Sequence, residues 1–230
     1  MAEDLKRRAA EHAVDRVQSG MVLGLGTGST VAHFLELLGR RIASGALDDV
    51  SGVPTSRWTE AQAGRLGIPL TTLAAQATLD LAVDGADEVD PAVNLVKGMG
   101  GALLREKMVA QAARHVLIIV DDGKEVSRLG TRSPLPVEVV GWGHESHVRV
   151  LESMGARVSV RAGPDGTSFS SDNGHLILDC VFADGIEDPA GIEAALQSRA
   201  GIVDTGLFLG IADEAMIASA DGVRVLRRTP

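Results

Sequence analysis

Apolar runs that alternate with helix-length segments, and end in glycine-rich or acidic turns, most constrain the fold of this chain. Such runs occupy 21–23, 79–83 and 115–120, and polar or glycine residues follow each one directly. Short apolar runs separated in this way are typical of parallel strands buried on both faces and joined by crossover helices. The loops after such strands meet at one edge of the sheet, so we expect these turns to lie close together.

The first turn, Gly24–Thr30, has the sequence Gly-Leu-Gly-Thr-Gly-Ser-Thr and precedes apolar residues at helical spacing. Free amides at the start of such a helix bind anions, and phosphate is the natural ligand. The spacing is not that of a dinucleotide fingerprint, because Ser29 replaces the third glycine, and no lysine precedes Ser29 as in a Walker loop. The alternative is a tight turn capped by Ser29 or Thr30.

The second turn, Asp84–Glu88, crowds carboxylates at the end of a strand. These carboxylates are suited to binding a hydroxylated substrate, exchanging protons with its oxygens, or holding a divalent cation. A metal is the least favoured reading, because calcium-loop spacing is absent and no His or Cys lies close by. The remaining alternative is a solvated acidic turn with Asp84 as a cap.

Glu106 follows the glycine-rich run Lys97–Gly101 and is the first catalytic candidate. If a helix begins near Gly101, Glu106 shares a face with Ala102, Val109 and Ala113, and therefore points inward. Desolvation raises a carboxyl pKa toward neutrality, which suits proton transfer to and from carbon. The alternative is a surface acid paired with a neighbouring Lys107 or Arg105.

Lys124 follows the apolar run 115–120 and the turn 121–123, where a lysine can reach an anion held by the neighbouring loops. Taken alone, it also fits an ordinary lysine at a helix start. A phosphate cradle, acids for hydroxyl groups, a lysine and one sequestered glutamate together indicate proton transfer next to a carbonyl. The substrate class that fits is a phosphorylated sugar.

These motifs, together with Pro134–Val139, resemble ribose-5-phosphate isomerase of type A over nearly the whole chain. The resemblance implies Glu106 as general base, Asp84 and Asp87 as the acids for hydroxyl protons and ring opening, and Lys97 beside the enediolate oxygen. The substrate-binding residues implied in the same way are Thr27, Gly28, Ser29, Thr30, Gly85, Ala86, Gly98, Met99, Gly100 and Lys124. The segment 54–56 resembles a loop near the phosphate.

One departure from the resemblance is Met99, where many relatives have glycine. A positive φ at this position would strain Met99. The implied reaction interconverts D-ribose 5-phosphate and D-ribulose 5-phosphate through an enediol or enediolate, in the non-oxidative pentose phosphate pathway, without metal or organic cofactor. The resemblance also favours a homodimer or a dimer of dimers.

Two other functions stay open at this point, because similar scaffolds serve them. An amino-sugar phosphate deaminase would be favoured by a histidine beside the acidic turn, which is absent. A non-enzymatic sugar-phosphate sensing module would be favoured by a DNA-binding segment, and residues 1–20 offer no helix-turn-helix pattern.

The expected fold class is α/β, with a Rossmann-like, doubly wound, mostly parallel sheet and a second, smaller ferredoxin-like α+β domain. From residue 134 the pattern reads β-α-β-β-α-β, ending in a strand at 202–209. We predict a Rossmann-like catalytic domain of residues 1–130 and 205–230 and a small domain of residues 131–204. The last strand of the small domain alternatively returns to the large sheet.

Composition indicates which classes of binding partner the sequence disfavours. The net charge of -9, 3% aromatic residues and no tyrosine disfavour a nucleic-acid surface, since affinity there depends on cations and stacking rings. The chain has a single cysteine, Cys180, so it cannot form an internal disulfide. It has no run of about eighteen apolar residues, so the sequence predicts no membrane-spanning helix. We expect a cytoplasmic protein that binds a small sugar phosphate, with no membrane or nucleic-acid partner.

Overall fold

The computed structural model describes residues 2–229 and has an α/β fold built on three sheets. The helices are α1 (Ala2–Val14), α2 (Ser29–Ala43), α3 (Arg57–Arg65), α4 (Leu103–Ala112), α5 (Glu145–Ser153) and α6 (Pro189–Gln197), with a 3-10 turn at Asp122–Lys124. The strands are β1 (Val22–Leu25), β2 (Ser51–Pro54), β3 (Leu81–Asp84), β4 (Glu88–Val89), β5 (Leu95–Val96), β6 (Val116–Asp121), β7 (Leu135–Val139), β8 (Ala156–Val160), β9 (Leu176–Phe182), β10 (Ile202–Thr205), β11 (Leu207–Phe208), β12 (Glu214–Ser219) and β13 (Gly222–Arg227).

The large sheet has six strands in the order β13-β12-β6-β3-β1-β2, and only β13 runs antiparallel to its neighbour. β2 and β3 lie on opposite sides of β1, so the direction of winding reverses between β1 and β3. Ligands of open α/β sheets bind at such a switch point, beyond the carboxyl ends of the strands. The loops that leave β1 and β3 are the glycine turn and the acidic turn.

Both faces of the large sheet are covered, as the apolar runs predict. On one face, α1 and α2 bury Phe34, Leu35 and neighbouring aliphatic side chains. On the other face, α4 packs Val109 against the sheet. A Cβ at Gly24 would lie 2.5 Å from Val109 Cγ1, so the glycine allows α4 to approach β1 closely. This approach brings the first turns of α4 to the switch point.

The second sheet has four antiparallel strands in the order β10-β7-β9-β8, and α5 and α6 connect them in a β-α-β-β-α-β sequence. This is the split β-α-β arrangement of ferredoxin-like modules. Cys180 is fully buried in the core of this unit, and burial raises the pKa of its thiol. The predicted fold class is therefore confirmed, while the residue limits of the two domains stay a prediction.

Three details differ from the prediction. The strand expected at 202–209 is divided: β10 pairs with β7, whereas β11 pairs with β5 in a small sheet of order β11-β5-β4. Gly206 joins the two, because its N–H donates to the Pro136 carbonyl and its carbonyl accepts from Lys97 N–H. The spacing of the apolar residues Leu5, Ala9, Ala13 and Val17 predicts a helix over residues 2–18, but α1 ends at Val14. A tryptophan side chain is usually a packing residue, and the sequence predicts this role for Trp142, but it is 92% exposed.

The helices of residues 2–229 include none long and apolar enough to cross a membrane.

Candidate active site

A cavity of about 170 Å³ opens at the carboxyl edge of the large sheet, beside the switch point. It is formed by the loops after β1, β3, β5 and β6 and by the first turns of α2 and α4. The predicted site residues that line it are Thr27, Gly28, Ser29, Thr30, Gly85, Ala86, Asp87, Lys97, Gly98, Met99, Gly100, Glu106 and Lys124. The fold thus brings together motifs that lie almost a hundred residues apart in the chain.

A buried charge cluster forms the floor of this cavity. Lys97 Nζ lies 3.1 Å from Asp84 Oδ2 and 3.4 Å from Glu106 Oε1, and it donates to the Gly85 carbonyl at 2.6 Å. All three charged side chains are less than 10% exposed. Asp84 lies just behind the cavity and lines a narrower cleft together with Lys97 and Glu106. One ammonium therefore faces two carboxyl groups.

Glu106 is the less well satisfied of the two carboxyl groups. It lies on the buried face of α4, as the helical period predicts, and its Oε2 is buried without a hydrogen-bond partner among the described residues. Burial, with the negative charge of Asp84, raises the pKa of Glu106 to about 8, although Lys97 acts in the opposite direction. A glutamate of this kind exchanges a proton near neutral pH.

Asp84 and Lys97 differ from Glu106 in their partners. Asp84 Oδ1 accepts N–H groups from Thr27 at 3.1 Å and Gly85 at 2.7 Å, besides the contact of Oδ2 with Lys97. Burial raises the pKa of Asp84, and these donors act against it. Burial alone would lower the pKa of Lys97, but the nearby carboxylates outweigh it and raise that pKa, so the lysine stays charged.

The neighbours of Glu106 in sequence do not pair with it, so the alternative of a surface ion pair is wrong. Lys107 Nζ contacts Asp204 at 2.6 Å and Glu193 at 3.2 Å. Arg105 donates from Nε to Asn173 Oδ1 at 2.9 Å. Both neighbours instead fasten α4 to the small sheet unit.

Close backbone approach at Gly26 positions Asp84. A Cβ at residue 26 would lie 2.2 Å from Asp84 Oδ1, so only glycine lets the β1 loop pass over this carboxylate. On the opposite side, Asp87 Oδ2 accepts the N–H of Met99 at 3.0 Å. Met99 does not have a positive φ, so the strain considered for this residue does not arise.

The opposite end of the cavity is suited to an anion. Helix α2 begins at Ser29, its N-cap is Gly28, and no side chain caps it, so the alternative of a turn capped by Ser29 or Thr30 is wrong. Its first amides therefore face a cavity lined by residues 28–31, where the helix dipole favours negative charge. Lys124, after β6, and Lys6, on α1, line the same cavity.

A chain of buried hydroxyl groups holds Thr27 in place from behind. Thr59 Oγ1 donates to the Gly26 carbonyl at 2.7 Å, so its oxygen serves as acceptor for Ser56 Oγ at 3.0 Å. Ser56 in turn accepts from Thr27 Oγ1 at 2.8 Å, and Thr27 accepts from Thr55 Oγ1 at 2.7 Å. Each hydroxyl has one proton, so the order of donors is fixed. The chain joins the loops after β1 and β2.

Sequence reasoning missed Lys6 and the structural role of the hydroxyl chain. Lys6 belongs to no motif, and only the packing of α1 beside the sheet brings it to the cavity. The segment 54–56 was noted for its resemblance to a phosphate-side loop. In the structure, Thr55 and Ser56 contact Thr27 instead of lining the main cavity.

Residues 2–229 contain no group of three or more His, Cys, Asp or Glu side chains arranged to hold a metal ion. The carboxylates of this region already have partners within the protein. Asp84 and Glu106 share the ammonium group of Lys97, and Glu88 accepts three backbone N–H groups. A cofactor-free reaction stays a prediction.

The fold and the site define a Rossmann-like α/β protein with a buried lysine–carboxylate centre next to an uncapped helix start. A sequence profile described as ribose 5-phosphate isomerase A (phosphoriboisomerase A) matches residues 51–222. The chain therefore belongs to the ribose 5-phosphate isomerase A family, which confirms the resemblance found in its motifs.

Two curated relatives named ribose-5-phosphate isomerase A illustrate the similarity. The chain is 51% identical to that of Chloroflexus aurantiacus, over 96% of this chain and 92% of the relative. It is 47% identical to that of Synechococcus sp. (strain JA-3-3Ab), over 99% of both.

Solved structures agree with this. Ribose 5-phosphate isomerase from Plasmodium falciparum has a TM-score of 0.96 and 39% identity, with 99% of this chain and 100% of that chain covered. A D-ribose-5-phosphate isomerase in complex with phospho-erythronic acid has a TM-score of 0.96 and 37% identity, with the same coverage.

Proposed function

We propose that this protein is an aldose-ketose isomerase that interconverts D-ribose 5-phosphate and D-ribulose 5-phosphate through an enediol or enediolate. The observation that carries the proposal is the buried Glu106 carboxyl group, with one oxygen unpartnered among the described residues and a pKa raised to about 8, in the same cavity as an uncapped helix start. The names of the relatives support the same reaction.

The substrate phosphate binds at the first turn of α2, with Lys6 and Lys124 as cationic partners. Phosphate binding leaves the chemistry of the sugar unchanged and places its first two carbons beside Glu106. In the open-chain aldose, the Glu106 carboxylate takes the proton from C2. The electrons of the broken C2–H bond form the C1=C2 double bond, and the electrons of the C1 carbonyl move onto O1, which takes up a proton. Loss of the proton from the C2 hydroxyl and return of the carbon proton from Glu106 to C1 then give the ketose.

Negative charge on the enediolate oxygens requires donors that are already in place. The Lys97 ammonium and the amides of the glycine turn 98–101 supply them, and such preorganised donors usually contribute most to reactions of this kind. Asp84 and Asp87 move the hydroxyl protons and assist ring opening. The division of these steps between the two aspartates stays open.

The two alternative functions, an amino-sugar phosphate deaminase and a sugar-phosphate sensing module, have less support. The relatives reported above are named isomerases, rather than amino-sugar phosphate deaminases or sugar-phosphate sensing modules. The homodimer or dimer of dimers remains a proposal that rests on the resemblance. The cytoplasmic location remains a proposal that rests on the pattern of apolar residues in the sequence. Light scattering on the purified protein tests the quaternary state.

A direct assay tests the function. Purified protein mixed with ribose 5-phosphate, after dialysis against a chelator and without added metal, is expected to form the ketose. Glu106→Gln keeps the shape and removes the base, so we expect turnover to fall by about 10²- to 10⁴-fold, with inorganic phosphate binding retained.

The control variant is Glu187→Gln, which makes the same change at an exposed glutamate that does not line the cavity. Near-normal turnover of Glu106→Gln would remove Glu106 from the mechanism. A wild-type rate that is lost with chelator and restored by magnesium or manganese would show that the reaction needs a metal.

A further inference from the structure

We propose that Arg161 is a positioning residue that fixes the orientation of the Met99–Gly100 peptide, so that the Gly100 amide faces the substrate cavity. The inference deepens the proposed isomerase function and rests on it. It concerns an arginine of the small sheet unit that does not line the cavity.

Arg161 follows β8 and is held from two sides before it reaches the substrate loop. Its Nε and Nη2 donate to the two carboxylate oxygens of Asp179, at 2.9 and 2.5 Å. Its guanidinium carbon lies 5.8 Å from the centre of the Phe169 ring. A bidentate pair of this type fixes the plane of the guanidinium group as well as its position.

The remaining guanidinium nitrogen, Nη1, donates hydrogen bonds to two consecutive carbonyl groups of the loop. Arg161 Nη1 donates to the Gly98 carbonyl at 2.8 Å and to the Met99 carbonyl at 3.0 Å. In a trans peptide, the N–H of the next residue points away from the carbonyl. These two hydrogen bonds therefore direct the N–H groups of Met99 and Gly100 away from Arg161.

Both N–H groups have clear positions in the site. The Met99 N–H donates to Asp87 Oδ2 at 3.0 Å. The Gly100 N–H has no protein acceptor within residues 2–229, and Gly100 lines the cavity. One peptide thus orients a predicted acid, and the other presents a free donor toward the substrate.

The Met99–Gly100 peptide can adopt two orientations in this turn, so an additional contact is needed to select one of them. Gly98–Gly101 is a four-residue turn, closed by a bond of 2.9 Å from Gly101 N–H to the Gly98 carbonyl. Its middle peptide, Met99–Gly100, reverses direction between type I and type II turns, and type II requires a positive φ at the third residue. Gly100 tolerates either form but does not have a positive φ here. The bond from Arg161 to the Met99 carbonyl selects this form.

The experiment compares Arg161→Met, Arg161→Lys and Asp179→Asn with wild type, and uses Arg157→Met as the matched control. Arg157 is an exposed arginine on the same strand unit, at β8. The readouts are the thermal unfolding midpoint, kcat and KM for ribose 5-phosphate, and calorimetric affinities for inorganic phosphate and phospho-erythronic acid. The carboxylate of the second probe stands for the enediolate oxygens.

For Arg161→Met we expect kcat to fall about 10- to 100-fold. This loss is no larger than the loss of about 10²- to 10³-fold seen when an oxyanion donor itself is deleted, because the Gly100 amide is still present. We expect the affinity for phospho-erythronic acid to fall about tenfold, with phosphate affinity unchanged. Lysine lacks the planar fork, so Arg161→Lys is expected to behave like Arg161→Met, and Asp179→Asn to show a smaller loss in the same direction.

Two results would overturn the proposal: wild-type kcat and analogue affinity in Arg161→Met, or equal losses of phosphate and analogue affinity together with a lowered unfolding midpoint. The second result would assign a general structural role to Arg161. Turnover of the wild-type protein tests the proposed isomerase function separately, because the binding arms compare variants and need no turnover.

Discussion

At the scale of single residues, the ionisation of Glu106 is the property that most directly links burial to function. With a pKa of about 8, Glu106 is mostly protonated at neutral pH, whereas the proposed base is the carboxylate. We therefore expect kcat/KM to rise with pH and to level off above about 8. A rate profile from pH 5 to 10 measures this, and a profile already flat above pH 6 would contradict it.

The same shift has the opposite effect on stability. Between the ordinary value of 4.5 and about 8, the folded protein holds a proton on Glu106 that the unfolded chain releases. The free energy of unfolding is therefore expected to fall as pH rises through this window. Urea unfolding at several pH values checks the slope, which should be smaller in Glu106→Gln because glutamine does not ionise.

At the scale of elements, the hydroxyl chain connects α3 to the glycine turn before α2. Thr59→Val keeps the shape but removes the donor to the Gly26 carbonyl and the acceptor for Ser56. Leaving these buried groups unpaired costs about 1–3 kcal/mol each. We expect a lower unfolding free energy and, because Thr27 loses its support, a kcat/KM reduced about tenfold.

Denaturant unfolding and steady-state kinetics measure both effects of Thr59→Val. The control is Thr78→Val, because Thr78 is an exposed threonine. Equal behaviour of the two variants would show that the chain contributes nothing to the site.

At the scale of the whole molecule, Glu88 ties the sheet next to the site to the segment that enters the small unit. Its carboxylate is fully buried and accepts N–H groups of Gly130 at 2.5 Å and of Arg132 and Ser133 at 2.6 Å. Glu88→Gln turns one acceptor into a donor that faces these N–H groups. We expect the free energy of unfolding to fall by about 2–4 kcal/mol, measured by urea denaturation.

Glu187→Gln is the matched control for this variant, since an exposed change of the same kind is expected to stay within about 0.5 kcal/mol of wild type. A similar unfolding free energy for both variants would show that the buried contacts of Glu88 are not needed for the stability of the fold.

The sequence by itself determined the elements and the motifs. Apolar runs and helical periods are local patterns, so they predicted the parallel sheet, the ferredoxin-like unit and the inward-facing Glu106. Glycine and acidic turns at strand ends predicted that these loops meet, because parallel strands deliver their loops to one edge. The family resemblance implied the individual residues, most of which line the cavity.

Only the tertiary structure decided how side chains from distant segments combine. The sharing of Lys97 between Asp84 and Glu106, the place of Lys6, and the grip of Arg161 on the turn 98–101 depend on packing between elements far apart in sequence. The division of the strand at Gly206 has the same origin, since two sheets compete for its backbone groups. Periodicity within one segment carries no information about such partners, because hydrogen bonds and burial are fixed by the assembled core.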